Sequence, residues 1–414
     1  MRRHRPRWVS WVLPAMAVLC WSTTALPATA DGSISIVEER QENRFPNELI
    51  WHLTAHGTAG DITSIKLVFA KRGDTSLTSA PLQFEPAREV AAQHRWHTKY
   101  LSVPPGSPIL FHWVIRDALG NERVTEERVL YYDDLRFPWK RLENERVALF
   151  WYEGDNSFGQ ELFDLANEAI ERLSAEIGAQ LAFQVRIVVY PGQEEFFSAF
   201  PRLRDWIGGR AFPKMGLTVQ IISPDSSRDW WQGVIPHEIA HLLFHQATDH
   251  PFADPPAWLN EGLAVYNEGI SHDEQESMVR RAAGGSELLP LPYVTGSFGP
   301  NHAQVSLAYA QSLSMVEYAL ERFGPEGMAA LMIAYREGKP TREAMPAAWG
   351  MSQEEFYAEW KAATTASAAE ADLRGLGGSP SERTTLLTVG LMVCCCSTSL
   401  LIVAAVAAVL LFRK

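Results

Sequence analysis

Residues 235–243 read IPHEIAHLL and contain two histidines at positions i and i+4, with a glutamate directly after the first. On an α-helix such positions share one face, so the imidazoles of His237 and His241 can reach one tetrahedral zinc ion. Glu238 is then placed to take a proton from water at that ion. The stretch therefore predicts a metal-binding helix, although this spacing alone also arises by chance in unrelated chains.

A second segment supplies a carboxylate. Residues 258–266 read WLNEGLAVY, and we expect them to form the following helix, with Glu261 facing the histidines. Two histidines and one carboxylate leave the fourth zinc position open for water and substrate. A hydrolase needs such an open position, whereas a structural zinc site is closed by four protein ligands.

Together the two motifs resemble those of the gluzincins, the thermolysin-like zinc peptidases. The residue sequences of both motifs are similar to those of the peptidase MA-like group within the gluzincins. The resemblance covers about residues 137–362. It implies a zincin-like fold in which His237, His241 and Glu261 bind Zn²⁺ and Glu238 is the general base.

Two other ligand sets are disfavoured. A metzincin would need glycine at position 244 and histidine at position 247, but the chain has Phe244 and Ala247 there. His245 continues the helical face of the two motif histidines, yet ligands at three successive turns diverge too fast along the axis to gather one ion. We expect His245 to support the site from outside or to be exposed.

The resemblance also implies a side chain that stabilises the oxyanion, a Tyr or His located after the third ligand. Tyr309 is the first candidate, and His302 and Tyr266 are the others. A purely structural role for Tyr309, as a tyrosine that packs between helices, stays open.

The support of the ligands departs from the family pattern. Thermolysin has an aspartate four residues after the third ligand, and this chain has Val265 at that position. We therefore expect Asn260, Glu268 or Asp249 to hold the zinc histidines by hydrogen bonds.

Residues 216–221, GLTVQI, precede the metal-binding helix. Gluzincins place there an edge strand that pairs with an extended peptide, and the resemblance implies the same role for this segment. The alternative is a core strand, and only an edge position in the sheet distinguishes the two.

The two ends of the chain carry targeting signals. Residues 1–30 combine early arginines, a short apolar run and the small-residue pattern Ala28-Thr29-Ala30, which is typical of a secretory signal peptide. Residues 386–412 contain no charged side chain and are long enough to cross a bilayer as a helix. Because Arg413 and Lys414 follow, we predict a single-pass type I protein of the cell membrane with an extracytoplasmic ectodomain.

Between these ends the sequence predicts a multidomain chain. Short alternating apolar runs separated by turn residues indicate an all-β immunoglobulin-like sandwich over 31–133. A helical period then dominates, and we assign an α+β zincin-like metallopeptidase domain to 137–365 and a flexible linker to 366–385. The four cysteines lie at positions 20 and 394–396, so the ectodomain has no disulfides.

The formal net charge of −12 argues against nucleic acid as a partner. The leading hypothesis is a membrane-anchored zinc peptidase that acts on peptides or proteins. A catalytically silent surface or adhesion protein is the alternative, and hydrolysis of a non-peptide substrate is a third. Retention of Glu238 argues against the silent alternative, because its loss would be the simplest signature of such a protein.

Overall fold

The computed structural model describes residues 33–99, 101, 103–200, 209–298 and 302–375. A β-rich region comes first, and an α/β region follows it. The predicted signal peptide, 1–30, and the predicted transmembrane helix, 386–412, lie outside the described residues. Within the described part of the chain, no helix combines the length and apolar character needed to cross a membrane.

The N-terminal region consists of two antiparallel sheets, which we call the sandwich. One sheet has the strand order β1-β2-β5, and the other has the order β4-β3-β6-β7, with β8 also paired to β6. The strands are β1 Ile34–Arg44, β2 Glu48–Gly57, β3 Ile62–Lys71, β4 Thr78–Pro81, β5 Glu89–His97, β6 Ser107–Asp117, β7 Glu122–Val124 and β8 Arg128–Tyr132. The sheets pack face to face, because the ring of Trp51 lies 5.2 Å from that of Phe69 and 6.0 Å from that of Phe111. The immunoglobulin-like classification of this sandwich stays a prediction.

Two strands of the sandwich differ from the sequence prediction. The apolar residues within 96–101 predict a strand over that range, but β5 spans Glu89–His97. Strand β1 was not predicted at all, since its sequence ISIVEERQENR is mostly polar. Because β1 is an edge strand with much of its surface in water, it lacks the regular apolar alternation that identifies a half-buried strand.

The second region is built on a five-stranded sheet with the order β12-β13-β11-β10-β9, which we call the catalytic sheet. Strands β10, β11 and β13 are parallel to one another, and β9 and β12 close the two edges in the antiparallel sense. The strands are β9 Lys140–Glu143, β10 Val147–Trp151, β11 Val185–Tyr190, β12 Gly209–Phe212 and β13 Leu217–Ile221. The nearly continuous apolar run at 185–190 predicts a buried strand, and β11 coincides with it.

Nine helices lie in the described residues, and a 3₁₀ turn, Pro213–Met215, connects β12 to β13. The helices are α1 Asn156–Ile177, α2 Gln193–Ala199, α3 Arg228–Thr248, α4 Ala257–Tyr266, α5 Asp273–Gly284, α6 Leu291–Thr295, α7 His302–Arg336, α8 Thr341–Trp349 and α9 Gln353–Gly375. Helix α7 is interrupted at Gly324, whose φ of 68° breaks the helical path before Pro325.

Helix α9 corrects the predicted linker. The flexible segment was assigned to 366–385, but α9 continues to Gly375. The part of α9 after Trp360 is rich in alanine, the residue with the highest intrinsic helix propensity, and Ala368 is buried in the helical core, so the helix continues past the predicted start of the linker.

Both faces of the catalytic sheet are buried, and alternate residues of β11 enter different cores. Val185 and Ile187 belong to the core beneath the helices. Val188 and Tyr190 belong to a core that they share with Trp51 and other sandwich residues. The sandwich therefore packs directly on the outer face of the sheet.

A buried arginine crosses the contact between the two regions. The Arg186 guanidinium lies 3.8 Å from the ring centroid of Tyr131 and 4.4 Å from that of Phe150. It also donates a hydrogen bond of 2.7 Å to Asp133. Because the Arg186 side chain is only 4% exposed, this contact joins sandwich residues to the catalytic sheet away from water.

Candidate metal centre

Helix α3 carries the motif histidines on the face that is not packed into the core. Ile235, Ile239 and Leu242 are fully buried beneath the helix. The side chains of His237 and His241 are 18% and 15% exposed, so they remain within reach of water. The apolar residues of the motif thus lie in the core, and both imidazoles lie on the less buried side of α3.

The three predicted ligands come together. Ligand atoms of His237, His241 and Glu261 all lie within 4.8 Å of one another. The Oε2 atom of Glu261 is 3.6 Å from Nε2 of His241, and it is buried without a hydrogen-bond partner. A buried carboxylate oxygen without a partner is costly, and a cation bound between the three side chains would remove that cost.

The other ring nitrogen of each histidine is already engaged. Nδ1 of His237 lies 2.9 Å from Oε1 of Glu268, and Nδ1 of His241 lies 3.0 Å from Oδ1 of Asn260. Because an amide oxygen only accepts, His241 donates through Nδ1 and keeps the Nε2 lone pair for a metal. The donor set and its outer hydrogen bonds therefore fit Zn²⁺.

Two of the three residues predicted to support the histidines contact them, and the third does not. Asp249 lies 3.6 Å from Nε2 of His245, one turn further along α3. His245 itself is not part of the metal-binding group. The position taken by an aspartate in thermolysin is the buried Val265, and Glu268, two residues after the end of α4, contacts His237 instead.

A polar network anchors Glu268. The preceding residue, Asn267, is fully buried and donates a 3.0 Å hydrogen bond to the carbonyl of Pro236. Arg172 of α1 donates to both the side-chain and main-chain oxygens of Asn267. The carboxylate that orients His237 is thus tied to α1 and to α3 on either side of it.

Gly262 explains how the third ligand reaches α7. A Cβ atom at Gly262 would overlap the backbone of Ser312 and lie 2.7 Å from the Cγ2 atom of Val316. Only glycine lets α4 approach α7 this closely. The close approach places Glu261, the preceding residue, beside Tyr309.

Tyr309 lies at the metal centre. Its ring centroid is 6.3 Å from that of His237. Burial, together with the negative charges of Glu261 and Glu238, raises the pKa of Tyr309 above its ordinary value. The hydroxyl group therefore stays protonated at neutral pH and is available as a hydrogen-bond donor.

The other two oxyanion candidates differ from Tyr309. The hydroxyl of Tyr266 donates a 3.3 Å hydrogen bond to Glu176 of α1, so it is engaged outside the metal-binding group. His302 begins α7, and its side chain lies outside the described residues. Of the two tyrosines, only Tyr309 has both Glu238 and Glu261 among the charges that act on it.

Charge at the centre favours a cation. Glu238, Glu261 and Glu268 surround two imidazoles, and the Glu238 side chain is almost wholly buried. Burial disfavours the imidazolium form of His237, but the hydrogen bond to Glu268 and the neighbouring carboxylates outweigh it and raise the pKa of His237. The same negative field would stabilise a divalent metal ion.

The sheet edge beside the centre is not the one predicted. β13, which covers the predicted segment 216–221, lies between β12 and β11 inside the sheet. Strand β12 forms the edge, and Gly209 at its start adjoins Glu238: a Cβ atom there would lie 3.5 Å from Oε1 of Glu238. The sequence missed β12 because a strand of four residues is too short to show a period.

A cavity of about 360 Å³ opens beside the metal centre, next to His237 and Tyr309. Its remaining lining residues come from α4, α5, α7 and the segment after α4: Val265, Glu268, Glu274, Gln275, Met278 and Ser306. The centre is thus bordered by a strand edge on one side and by a partly acidic cavity on another.

An open His-His-Glu site with an adjacent carboxylate defines a gluzincin-type metallopeptidase centre. The family model of the Peptidase MA superfamily matches residues 165–366, a range that includes all four motif residues. The resemblance predicted from the sequence is confirmed.

A comparison with curated proteins gives no match. Among solved structures, the M1 zinc metallopeptidase from Deinococcus radiodurans is similar at 14% sequence identity and a TM-score of 0.34, covering 78% of this chain and 89% of that chain. A mutant of the M1 zinc metallopeptidase from the same organism gives 13% identity and a TM-score of 0.36, covering 76% of this chain and 90% of that chain.

Proposed function

We propose that this protein is a zinc-dependent peptidase, exported from the cell and anchored to a membrane by residues 386–412. The observation that carries the catalytic part is the convergence of His237, His241 and Glu261, with both histidine Nδ1 atoms already hydrogen-bonded. The match of residues 165–366 to the Peptidase MA superfamily model supports hydrolysis as the reaction class.

Bound Zn²⁺ would supply Lewis acidity, which makes water a better nucleophile and polarises a carbonyl group. Glu238 accepts the proton of the attacking water and returns it to the leaving amine. Tyr309 donates a hydrogen bond to the oxygen that gains negative charge during the attack. Asn260 and Glu268 keep the two imidazoles in the orientation that binding requires.

Strand β12 is the proposed binding surface for the substrate main chain. It is the terminal strand of the catalytic sheet, with β13 as its partner on one side. An extended peptide that pairs with its other side would pass Gly209, where no side chain separates the strand from Glu238. Hydrogen bonds to the main chain would bind the peptide with little dependence on its sequence.

The location is proposed from the two terminal segments of the sequence. Cleavage after Ala30 and insertion of 386–412 would leave the peptidase region outside the membrane. Fractionation of cells that express the full chain, compared with a chain that ends at 385, tests this. Loss of membrane association in the shortened chain supports the anchor, and its retention contradicts it.

The decisive catalytic test compares the full-length protein with Glu238→Gln and with Glu274→Gln, which alters an exposed carboxylate in the cavity beside His237. Zinc content and cleavage of a quenched peptide library are measured for all three. We expect stoichiometric zinc throughout and a loss of about 10²- to 10⁴-fold in kcat only in Glu238→Gln.

The other outcomes identify the alternatives. Zinc without cleavage in the unaltered protein would favour a silent binding protein or a non-peptide hydrolase. Absence of zinc would contradict the metal centre itself.

A further inference from the structure

The turn that follows β3 in the sandwich contacts the catalytic region at the connection between β12 and β13. We call Arg72 and Gly73 the sandwich turn. A Cβ atom at Gly73 would overlap the Cβ atom of Lys214 and lie 2.9 Å from its carbonyl oxygen. The sandwich turn therefore rests directly on the 3₁₀ turn Pro213–Met215.

A second contact lies next to the first. The Arg72 guanidinium lies 4.9 Å from the ring centroid of Phe183, in the loop before β11. The ring of Phe183 in turn packs against Gly216, whose φ of 64° ends the 3₁₀ turn. Gly73 therefore contacts the connection between β12 and β13 at Lys214, and Arg72 contacts the same connection at Gly216 through Phe183.

Buried contacts from the sandwich reinforce this arrangement. The hydroxyl group of Ser107, which is fully buried, lies 3.5 Å from the sulfur of Met215. A Cβ atom at Gly106 would lie 3.1 Å from the Cδ1 atom of Leu217, the first residue of β13. The connection between β12 and β13 is therefore packed against the sandwich along its length.

The connection between β12 and β13 is linked to the catalytic carboxylate, Glu238, through β12. The 3₁₀ turn follows β12 directly, and β12 carries Gly209 beside Glu238. Helix α3 contacts both β12 and the 3₁₀ turn. A displacement of the turn would therefore change the distance between the strand edge and the metal-binding helix.

We propose that the sandwich turn is a positioning element: it holds β12 at the separation from α3 at which an extended peptide can pair with the strand and reach Glu238. This rests on the proposed peptidase function. It assigns to the sandwich a part in substrate binding, since without the support of Arg72 and Gly73 the strand edge would move relative to the catalytic residues.

Gly73→Ala and Gly120→Ala form a matched pair for the test. Both glycines lie in sandwich turns, with φ of 83° and 85°, so alanine introduces similar backbone strain. At Gly120 a Cβ atom meets nothing within 4 Å, whereas at Gly73 it displaces Lys214. Any difference between the two variants therefore reports the contact with the 3₁₀ turn.

Three quantities are measured on the full-length protein: zinc content, kcat and KM for an extended peptide substrate, and hydrogen exchange of the 209–212 amides. In Gly73→Ala we expect unchanged zinc, about a tenfold rise in KM from weakened main-chain hydrogen bonds, a much smaller change in kcat, and faster exchange in β12. Gly120→Ala should match the unaltered protein in zinc content, KM and β12 exchange.

Equal KM and equal exchange in the two variants would overturn the proposal. If the unaltered protein cleaves no peptide, the proposed function fails, and the exchange of β12 still decides whether the sandwich turn holds the strand. If Gly73→Ala does not fold, Arg72→Ala replaces it, with a smaller expected change in the same direction because only the contact with Phe183 is removed. Unchanged β12 exchange in Arg72→Ala would then count against the proposal.

Discussion

The two faces of the catalytic sheet have different compositions and different tasks. On one face, the helical core contains Trp258, Leu259 and Leu263 of α4 and supports the polar residues of the metal centre. On the other face, the core shared with the sandwich consists largely of aromatic and branched side chains, such as Trp51 and Trp113. Histidines occur on both sides, but in the described part of the chain only α3 and α4 assemble a group that could hold a metal ion.

This difference shows that chemistry and support are separated by one layer of strands. The sandwich contributes none of the metal-binding residues, yet it covers the face of β11 and β13 opposite the helices. A sheet with both faces buried cannot lose one cover without exposing an apolar surface. The sandwich is therefore an integral part of the folded unit that carries the metal centre.

The largest expected effect comes from removing residues 33–132. This would expose Val188, Tyr190, Leu217 and Val219, each of which contributes about 1.5–3 kcal/mol when buried. The sum is comparable to the stability of a typical protein, about 5–15 kcal/mol. We expect the remainder to be insoluble, whereas removal of 376–414 leaves both cores intact. A soluble, zinc-binding fragment without the sandwich would show that the two cores are independent.

Next in size is Tyr309→Phe, which tests the chemistry of the helical side. Loss of a hydrogen bond to the developing oxyanion should lower kcat by about 10²-fold and leave zinc content unchanged. Tyr266→Phe is the control, because that hydroxyl bonds to Glu176. Equal kcat values in the two variants would assign Tyr309 a packing role only.

A smaller effect is expected for Glu268→Gln, which keeps the size of the side chain and removes its charge. Residues that orient metal-binding histidines typically change metal affinity by about 10- to 100-fold when replaced. Competition with a chelator measures this loss. Glu274→Gln borders the same cavity and should bind zinc normally. Unaltered zinc affinity in Glu268→Gln would mean that the network through Asn267 does not orient His237.

The smallest effect is expected for Arg186→Lys, on the sandwich side. Lysine keeps the charge but loses the planar stacking on Tyr131 and Phe150, so the free energy of unfolding should fall by about 1 kcal/mol. Arg141→Lys is the control, since Arg141 also lies near Phe150 but is exposed. Denaturant unfolding measures the free energy of unfolding of both variants. The same decrease in both would show that Arg186 does not stabilise the contact between the cores.

Much of the candidate site could be predicted because its residues lie close together along the chain. His237, Glu238 and His241 follow from one helical turn, and Asn260 and Glu261 from the next motif. The buried strand β11 was equally predictable, because five of its six residues, VRIVVY, are β-branched or aromatic. Strands β1 and β12 were not, because an edge strand and a strand of four residues show no regular alternation.

By itself, the sequence predicted the candidate metal ligands, the candidate general base and the change from a β-rich to a helical region, since each depends on local spacing or period. Only the tertiary structure decided that β12 is the edge strand, that Glu268 holds His237, that Tyr309 adjoins Glu261, and that the sandwich turn bears on Pro213–Met215. These features depend on contacts between residues that are distant along the chain. No local pattern encodes such contacts, because they follow from the packing of whole elements against one another.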